Sequence, residues 1–240
     1  IGTISYKFND EKYFSTMTTP QSAAMQRMLR HMVERKIEYL IMEVSSHALS
    51  LKRVDKCEFD IGVYTNLSRD HLDFHKDMEN YFEAKKILFQ KVNNENIKQN
   101  EKIAIINADC PWGQKLLPLL NVKTITYGIE NKANISARDI HLDLNKTDFI
   151  LDYYGKEERI VFNLLGYYNI YNALAAISVA LALNIPIGII KEGVRKLKYI
   201  PGRLEKINID KPFTVIIDYA HTPDALKNLL LNCKRTFSPN

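Results

Sequence analysis

The sequence has few cysteines, and their spacing excludes two kinds of site. Its three cysteines, Cys57, Cys110 and Cys233, are far apart and odd in number. Such a set makes neither a disulfide framework nor a zinc site with closely paired thiols. We therefore expect reduced thiols whose role is packing.

The sequence also lacks a long apolar run. No stretch reaches the roughly 18 to 20 apolar residues of a membrane span, and the start lacks the basic and apolar regions of a signal peptide. A composition of 46% hydrophobic and 25% charged residues is ordinary for one large globular domain, or for one domain and part of another. We expect a soluble, cytoplasmic protein with no membrane partner.

Neither sign of charge dominates, since 33 Lys and Arg against 28 Asp and Glu leave a net charge of +5. The densest basic stretch, residues 191–198, is interrupted by Glu192 and by apolar residues at helical spacing. This pattern is typical of a solvated helix face rather than of a nucleic-acid patch. No nucleic-acid partner is therefore expected.

A phosphate-binding loop is missing from the chain as given. The nearest match to the pattern GxxxxGK[ST] runs from Gly188 to Gly193, but Val194 and Arg195 follow it. The segment also lies within a helical pattern, so it fails both in sequence and in context. The chain therefore contains no Walker A motif.

Apolar β-rich runs alternate with helical patterns along the chain. The runs at residues 39–44 and 59–65 each predict a parallel strand that helices bury on both faces. Before them, a helix with an apolar stripe is predicted to begin with Thr19 as N-cap and Pro20 as first helical residue. The alternation predicts an α/β fold with a doubly wound, mostly parallel sheet.

The same alternation continues towards the carboxyl end of the chain. The further predicted elements are strands at 102–106 and 123–127 and helices at 111–119, 167–183 and 186–197. Between residues 133 and 162, short alternating stretches around Gly155 predict a small antiparallel excursion. The sheet is thus expected to end in antiparallel strands.

The helical pattern breaks at Pro201 and Gly202. A new strand is predicted at 213–217, followed by a helix that begins near Thr222 and Pro223. We therefore predict a domain boundary there, with residues 1–199 in one domain and residues 200–240 at the beginning of a second α/β domain.

Polar side chains follow the first two predicted strands. Glu43 ends the first strand, and His71 and His75 follow the second. Because neighbouring parallel strands share an edge, we expect Glu43 and His71 to approach one cation, and Mg²⁺ or Mn²⁺ suits such a set. The residues also allow a plainer interpretation, in which Glu43 caps a helix and the histidine loop is polar surface.

Lys85 lies at the centre of an apolar helix stripe at residues 78–89. A charged ammonium is costly on such a face unless it is paired, and burial favours the neutral amine. A neutral amine can react with CO₂ to give a carbamate, an anion that is useful beside a metal. The alternative is that the long side chain reaches to solvent.

Two asparagines, Asn169 and Asn172, lie one helical turn apart in the otherwise apolar run that follows Gly166. Each amide offers both a donor and an acceptor, so the pair is suited to the edge of a purine. Alternatively, Asn169 caps the helix and Asn172 makes a buried hydrogen bond.

Eight strings across nearly the whole chain resemble the Mur ligases. They are TTP (18–20), EVSSHAL (43–49) with Arg53, TNLSRDHLDFH (65–75), YFEAKKILF (81–89), NADCPWG (107–113), GYYNIYNALAA (166–176), PGRLE (201–205) and DYAHTPDAL (218–226). The resemblance implies that residues 1–199 are the central ATP-binding domain, incomplete at its N-terminus, and that residues 200–240 begin the C-terminal domain.

The resemblance also implies an activity. It is that of an ATP-dependent carbon–nitrogen ligase of peptidoglycan synthesis that forms ADP. This enzyme adds a diamino acid to UDP-N-acetylmuramoyl-L-alanyl-D-glutamate through an acyl phosphate. A monomer with ATP and Mg²⁺ as cofactors is expected.

The same matches imply roles for individual residues. Glu43, His71 and Lys85, the last as a carbamate, match the catalytic metal ligands. The residues matching the precursor site are Thr18, Thr19, Ser45 and Arg53, and those matching the ATP site are Asn169, Asn172, Arg203 and Asp218, with His221 in the same motif.

The chain departs from the family pattern in its missing phosphate loop, which we expect immediately before Ile1, so this piece alone is expected not to ligate.

A first alternative is a related ligase, either folylpolyglutamate synthase or a cyanophycin-type enzyme, which share the implied core. A non-catalytic nucleotide- or precursor-binding module is a second alternative, and a metallohydrolase built on His71 and His75 is a third. The residues that select the diamino acid are expected beyond Asn240.

Overall fold

The computed structural model describes residues 1–94, 97, 99–143, 146–207 and 209–237, and the structural statements below concern these residues. The chain divides into two compact units. Unit 1 contains Ile1–Asp60 and His71–Lys102, and unit 2 contains Ile61–Asp70 and the chain from Ile103 onward. None of the described helices combines the length and the apolar character that a membrane crossing requires.

Unit 1 consists of a short hairpin and helices. Strands β1 (Ser5–Phe8) and β2 (Glu11–Phe14) pair antiparallel. The helices are α1 (Ser22–Glu34), α2 (Ser46–Ser50), α3 (Leu72–His75) and α4 (Met78–Asn94). Met25 of α1 and Leu49 of α2 share one buried cluster with Val54 and Cys57, so a common apolar core holds the two helices.

Unit 2 contains a six-stranded sheet whose strands follow one another in chain order. They are β3 (Ile61–Tyr64), β4 (Ile103–Asn107), β5 (Lys123–Gly128), β6 (Ile135–Leu142), β7 (Thr147–Tyr153) and β8 (Lys156–Phe162). The pairs from β3 to β6 are parallel, and the pairs from β6 to β8 are antiparallel. The predicted α/β fold with a mostly parallel sheet is confirmed, and its antiparallel part extends the same sheet.

Helices and one small antiparallel sheet complete unit 2. They are α5 (Pro111–Leu116) with a 3-10 turn at Leu117–Leu119, α6 (Tyr167–Ala182), α7 (Ile187–Lys196), β9 (Glu205–Ile207), β10 (Val215–Ile217) and α8 (Pro223–Phe237). Helix α6 packs against β4, β5 and β6. All residues of β4 are buried, as expected for a central strand whose sequence, IAIIN, is apolar almost throughout.

The turn between β7 and β8 shows why glycine was an informative signal. Tyr153 pairs with Lys156 across a two-residue loop, in which Tyr154 has a φ of 53° and Gly155 a φ of 76°. Two left-handed residues make the hairpin turn that matches the twist of the flanking strands, and glycine enters this region without steric cost.

Residues 39–44 do not form a strand, and the sequence prediction is wrong there. Residues 39–41 are between 41% and 83% exposed. The described backbone bonds of the segment join it to Ile1, whose nitrogen donates to Ile41 O at 2.9 Å and whose carbonyl accepts from Glu43 N at 3.0 Å. This is the bonding pattern of a parallel pair, but one bridging residue is too little for a ladder.

The predicted start of α1 is also wrong. The helix begins at Ser22 with Gln21 as N-cap, and the Gln21 side chain makes no capping bond. Thr19 is instead fully buried, with its hydroxyl bonded to Glu43 and Ser45. The Thr19 hydroxyl therefore makes tertiary contacts instead of the helix-capping bond that the local pattern predicted.

In unit 2, the Asp109 carboxylate joins the loops after β4 and β5. It accepts from the backbone nitrogens of Ile129, Glu130 and Asn131 at 2.6, 3.0 and 2.7 Å, and from the Tyr171 hydroxyl of α6 at 2.8 Å. Burial raises the pKa of Asp109, but these four donors outweigh it and hold the pKa below the usual range.

We expect Asp109→Asn to lower the free energy of unfolding by about 2 to 3 kcal/mol, because bonds to a charged acceptor are lost. A depressed pKa contributes stability above the ordinary value of 3.8, so the difference should shrink as the pH falls below it. Urea unfolding at several pH values measures this. Asp139→Asn, at an exposed and left-handed position, is the matched control, and an equal loss in both variants would contradict the prediction.

Candidate functional site

The segment that carries Glu43 is held in unit 1 by the Thr19 hydroxyl. Thr19 Oγ1 donates to Glu43 O at 2.8 Å and accepts from Ser45 N at 3.0 Å. Ser45 is the N-cap of α2, because its hydroxyl accepts from Ala48 N at 3.2 Å. The capping role that one interpretation gave to Glu43 therefore belongs to Ser45 at α2.

The Glu43 carboxylate is exposed and is oriented by Thr3. Its Oε2 accepts from Thr3 N at 3.2 Å and from Thr3 Oγ1 at 2.6 Å. Thr3 Oγ1 lies 3.0 Å from Thr18 Oγ1, so a string of hydrogen bonds joins the predicted metal carboxylate to a predicted precursor residue. Sequence reasoning missed Thr3, since nothing in the chain spacing pairs it with Glu43.

A histidine cluster follows Glu43 in unit 1. The His47 ring centroid lies 5.1 Å from that of His71, 4.1 Å from that of Phe74 and 5.5 Å from that of His75. His71 is exposed and has a left-handed backbone with a φ of 54° at the N-cap of α3. Histidine tolerates this region better than most residues, but the conformation still needs support from its surroundings.

His75 is buried within this cluster. Its Nε2 lies 2.8 Å from the Ser46 hydroxyl, and its ring stacks on Tyr81 with centroids 4.7 Å apart. Burial lowers the pKa of His75, and the positive potential of His47, His71 and Lys85 lowers it further. The surroundings of His75 therefore disfavour its protonation.

Lys85 of α4 is half-buried, less than its place in the helix stripe suggested. Its Nζ lies 5.1 Å from the centroid of the Tyr81 ring, and the His71 ring lies 6.0 Å from the same ring. The cation–π contact partly offsets the cost of burying an ammonium. Tyr81 thus brings Lys85 and His71 to one place, whereas the common cation with Glu43 stays a prediction.

Arg53 lies next to the loop at residues 15–20, called the threonine loop below, which contains Thr16, Thr18 and Thr19. Its Nη1 donates to Thr19 O at 3.3 Å and lies 3.2 Å from Met17 Sδ. Its Nε is buried and has no hydrogen-bond partner within the described ranges. A buried donor of this kind calls for an acceptor, and an anionic ligand would provide one.

In unit 2, the two asparagines of α6 form a relay. Asn169 is buried and donates from Nδ2 to Leu165 O at 2.7 Å, and Asn172 Nδ2 donates to Asn169 Oδ1 at 2.9 Å. Because a backbone carbonyl only accepts, the first bond fixes the orientation of both amides. Asn172 therefore presents its amide oxygen on an exposed side chain, so its predicted alternative role as a buried residue is wrong.

Asp218 joins the turn that carries Arg203 to α6. It accepts from Leu204 N and Ala220 N at 2.8 Å each and from the Tyr168 hydroxyl at 3.3 Å. Arg203 lies between Gly202 and Leu204, which have φ values of 67° and 45°. The turn is therefore held by Asp218.

Arg203 and His221 both lie at Tyr219, which follows Asp218. The exposed Arg203 guanidinium lies 5.4 Å from the Tyr219 ring centroid. The exposed His221 lies with Nδ1 2.9 Å from Tyr219 O. Unit 2 thus brings the predicted nucleotide residues Arg203, Asp218 and His221 together.

The chain is similar to known proteins over nearly its whole length. The model of the Mur ligase middle domain matches residues 1–180. The UDP-N-acetylmuramoyl-L-alanyl-D-glutamate--2,6-diaminopimelate ligase of Bacillus licheniformis is 39% identical over 98% of this chain and 48% of its own length. The corresponding ligase 1 of Clostridium acetobutylicum is 42% identical over 96% of this chain and 46% of its own length.

A solved structure is similar as well. It is described as a structure of UDP-N-acetylmuramoyl-L-alanyl-D-glutamate--2,6-diaminopimelate ligase and matches with a TM-score of 0.78 and 29% identity. The match covers 97% of this chain and 48% of that one. The chain thus spans about half the length of the relatives it matches.

We expect the stability of unit 1 to fall as the pH drops below the ordinary histidine value of 6.5, because folding lowers the pKa of His75 and the folded state therefore resists its protonation. His75→Gln keeps a polar partner for Ser46 but does not titrate, so it should show a weaker dependence. Unfolding by urea at about pH 5.5 and about pH 7.5 compares them. An identical pH dependence would contradict the assignment to His75.

Proposed function

This chain belongs to the Mur ligase family, and from that premise we propose that it is the ATP-binding part of the ligase that adds a diamino acid to UDP-N-acetylmuramoyl-L-alanyl-D-glutamate. The names of the relatives support 2,6-diaminopimelate as the diamino acid. The observation that carries the proposal is that His71 and Lys85 both lie at Tyr81, in the unit in which Thr3 links Glu43 to Thr18.

The domain organisation is part of the proposal. Residues 1–199 are the central domain, and residues 200–240 begin the next one, with residues 208 and 238–240 outside the described part. A monomer in the cytoplasm, without nucleic-acid or membrane partners, accords with the small-molecule substrates of such a ligase.

The proposed reaction has two steps. The γ-phosphoryl group of ATP is transferred to the terminal carboxylate of the precursor, which gives an acyl phosphate and ADP. The amine of the diamino acid then attacks the acyl carbon, and inorganic phosphate leaves. Side chains have little covalent work here, so the protein contributes positioning and charge stabilisation.

Glu43, His71 and Lys85 would hold Mg²⁺. An exposed carboxylate and an exposed imidazole are suitable donors, and carbamylation of the half-buried Lys85 would replace a repelling cation with oxygen ligands, which Mg²⁺ prefers. When bound, the metal would neutralise charge on the ATP phosphates. The donor set therefore fits, on condition that Lys85 is modified.

The precursor would be held at the threonine loop. Arg53 has a buried Nε in need of an acceptor, which supports a contact with an anionic group. The Thr19 hydroxyl is fully buried and bonds to Glu43 and Ser45, so we propose that Thr19 shapes this site and that Thr18 contacts the ligand. Ser45 caps α2, and its backbone nitrogen donates to Thr19 of this loop.

ATP would be read by unit 2. The exposed amide oxygen of Asn172 is an acceptor that suits the exocyclic amine of adenine, and Asn169 sets its orientation. Asp218 would accept from a ribose hydroxyl, and the Arg203 guanidinium would face the phosphates. The Asp218 carboxylate also joins the two segments that contain Arg203 and Asp218, because it accepts from Leu204 N and Ala220 N.

We expect Lys85→Ala to reduce ligation by about a hundredfold or more, because the carbamate and its charge are lost. The assay measures ADP release that depends on both the dipeptide precursor and diaminopimelate. It uses the complete protein that carries these residues, since the matched relatives are about twice as long. Lys86→Ala is the control. Lys86 is the neighbouring lysine of the same helix, and it pairs with Glu83. Equal activity of the two variants, or addition of glutamate to folate, would overturn the proposal.

The base contact is tested with a second nucleotide. Inosine triphosphate carries a carbonyl oxygen where ATP carries the amine, so the wild type should prefer ATP. Asn172→Leu should raise KM for ATP by about three- to tenfold, the worth of one hydrogen bond, and narrow the preference over inosine triphosphate. KM for the precursor should change little. An unchanged preference would show that Asn172 does not read the base.

A further inference from the structure

Thr3 makes the shortest described contact to the Glu43 carboxylate. Its hydroxyl carries one proton, which it donates to Glu43 Oε2 at 2.6 Å. The 3.0 Å bond between Thr3 and Thr18 must therefore use the proton of Thr18. The protons run in one direction, from Thr18 to Thr3 to Glu43.

Backbone contacts place Thr3 for this role. Ile1 bonds on both sides to the chain at Ile41 and Glu43, so residues 1–3 lie alongside residues 41–43. The Thr3 nitrogen adds a second donor to Glu43 Oε2 at 3.2 Å. One carboxylate oxygen thus has two donors from a single residue.

The other carboxylate oxygen meets Gly2. A Cβ atom at Gly2 would lie only 2.8 Å from Glu43 Oε1, closer than side-chain carbons approach. The bare glycine gives this oxygen its space, while Thr3 holds the opposite oxygen. Thr3 therefore orients the carboxylate, and Gly2 leaves room for its second oxygen.

We propose that Thr3 is a positioning residue that orients the Glu43 carboxylate for the divalent cation and links it to Thr18 on the precursor side. The inference rests on the proposed function, because it assumes that Glu43 is a metal ligand. Groups that hydrogen-bond to a ligating carboxylate fix its direction, and their loss weakens metal binding.

The order of the protons has a consequence for the ligand. Since Thr18 spends its proton on Thr3, its oxygen is left to accept. Thr18 therefore recognises an N–H or O–H group, such as a peptide amide of the precursor, and not a phosphate or carboxylate oxygen.

The test measures Mn²⁺ binding to the complete protein that carries these residues by electron paramagnetic resonance, with Mn²⁺ alone as the probe and bicarbonate present. Thr3→Val keeps the shape and the backbone nitrogen but removes the hydroxyl, and it should weaken Mn²⁺ binding by about tenfold. Thr3→Ala should lose as much. Thr3→Ser, which keeps the hydroxyl, should restore wild-type binding.

Controls separate this inference from the metal assignment. Thr16→Val, an exposed threonine of the same loop, should bind like the wild type. If the wild type does not bind Mn²⁺, or if Glu43→Gln binds as well as the wild type, the metal role proposed for Glu43 fails. If Glu43→Gln loses binding but Thr3→Val and Thr3→Ala do not, the metal role stands and the role of Thr3 is overturned.

Discussion

The geometry of unit 1 depends on the buried hydroxyl of Thr19, which spans the chain from Glu43 to Ser45. A hydroxyl that loses water without gaining partners costs about 1 to 3 kcal/mol, so the two bonds are enforced by burial. They fix the backbone at Glu43 and the point at which α2 begins. As a result, Ser46 contacts His75, and His47 lies within the histidine cluster.

Carboxylates that accept from backbone amides recur in both units. Asp109 accepts from the loop after β5, and Asp218 accepts from the turn before β9. Glu43 accepts from the backbone nitrogen of Thr3. At Asp109 and Asp218 a negative group organises a loop that has no regular hydrogen-bond ladder of its own, whereas at Glu43 the backbone and hydroxyl of Thr3 orient the carboxylate. Preorganisation of this kind is what a ligase needs, because its side chains act by position and charge. The proposed nucleotide and metal residues therefore stand on anchored loops.

The sequence predictions were most accurate where a pattern reports on local structure. The run IAIIN forms β4 and the apolar run after Gly166 forms α6, as predicted, because continuously buried segments have an apolar composition. The run at residues 39–44 is also mostly apolar, yet a strand requires a partner along its length. The β1–β2 hairpin escaped notice because each strand has only four residues, too few for the alternation of Ser5–Phe8 to stand out.

For the candidate site, the sequence by itself determined the residue types and their order: a carboxylate at Glu43, an imidazole at His71, an amine on an apolar helix face at Lys85. The motifs record these residue types and their order because the proposed metal and ligand contacts constrain which residue types can be used. Only the tertiary structure decided what each residue touches. Thr3 orients Glu43, Thr19 is buried rather than capping a helix, and Tyr81 brings His71 and Lys85 together. Contacts between residues distant in the chain depend on packing of the whole unit, and no local pattern records them.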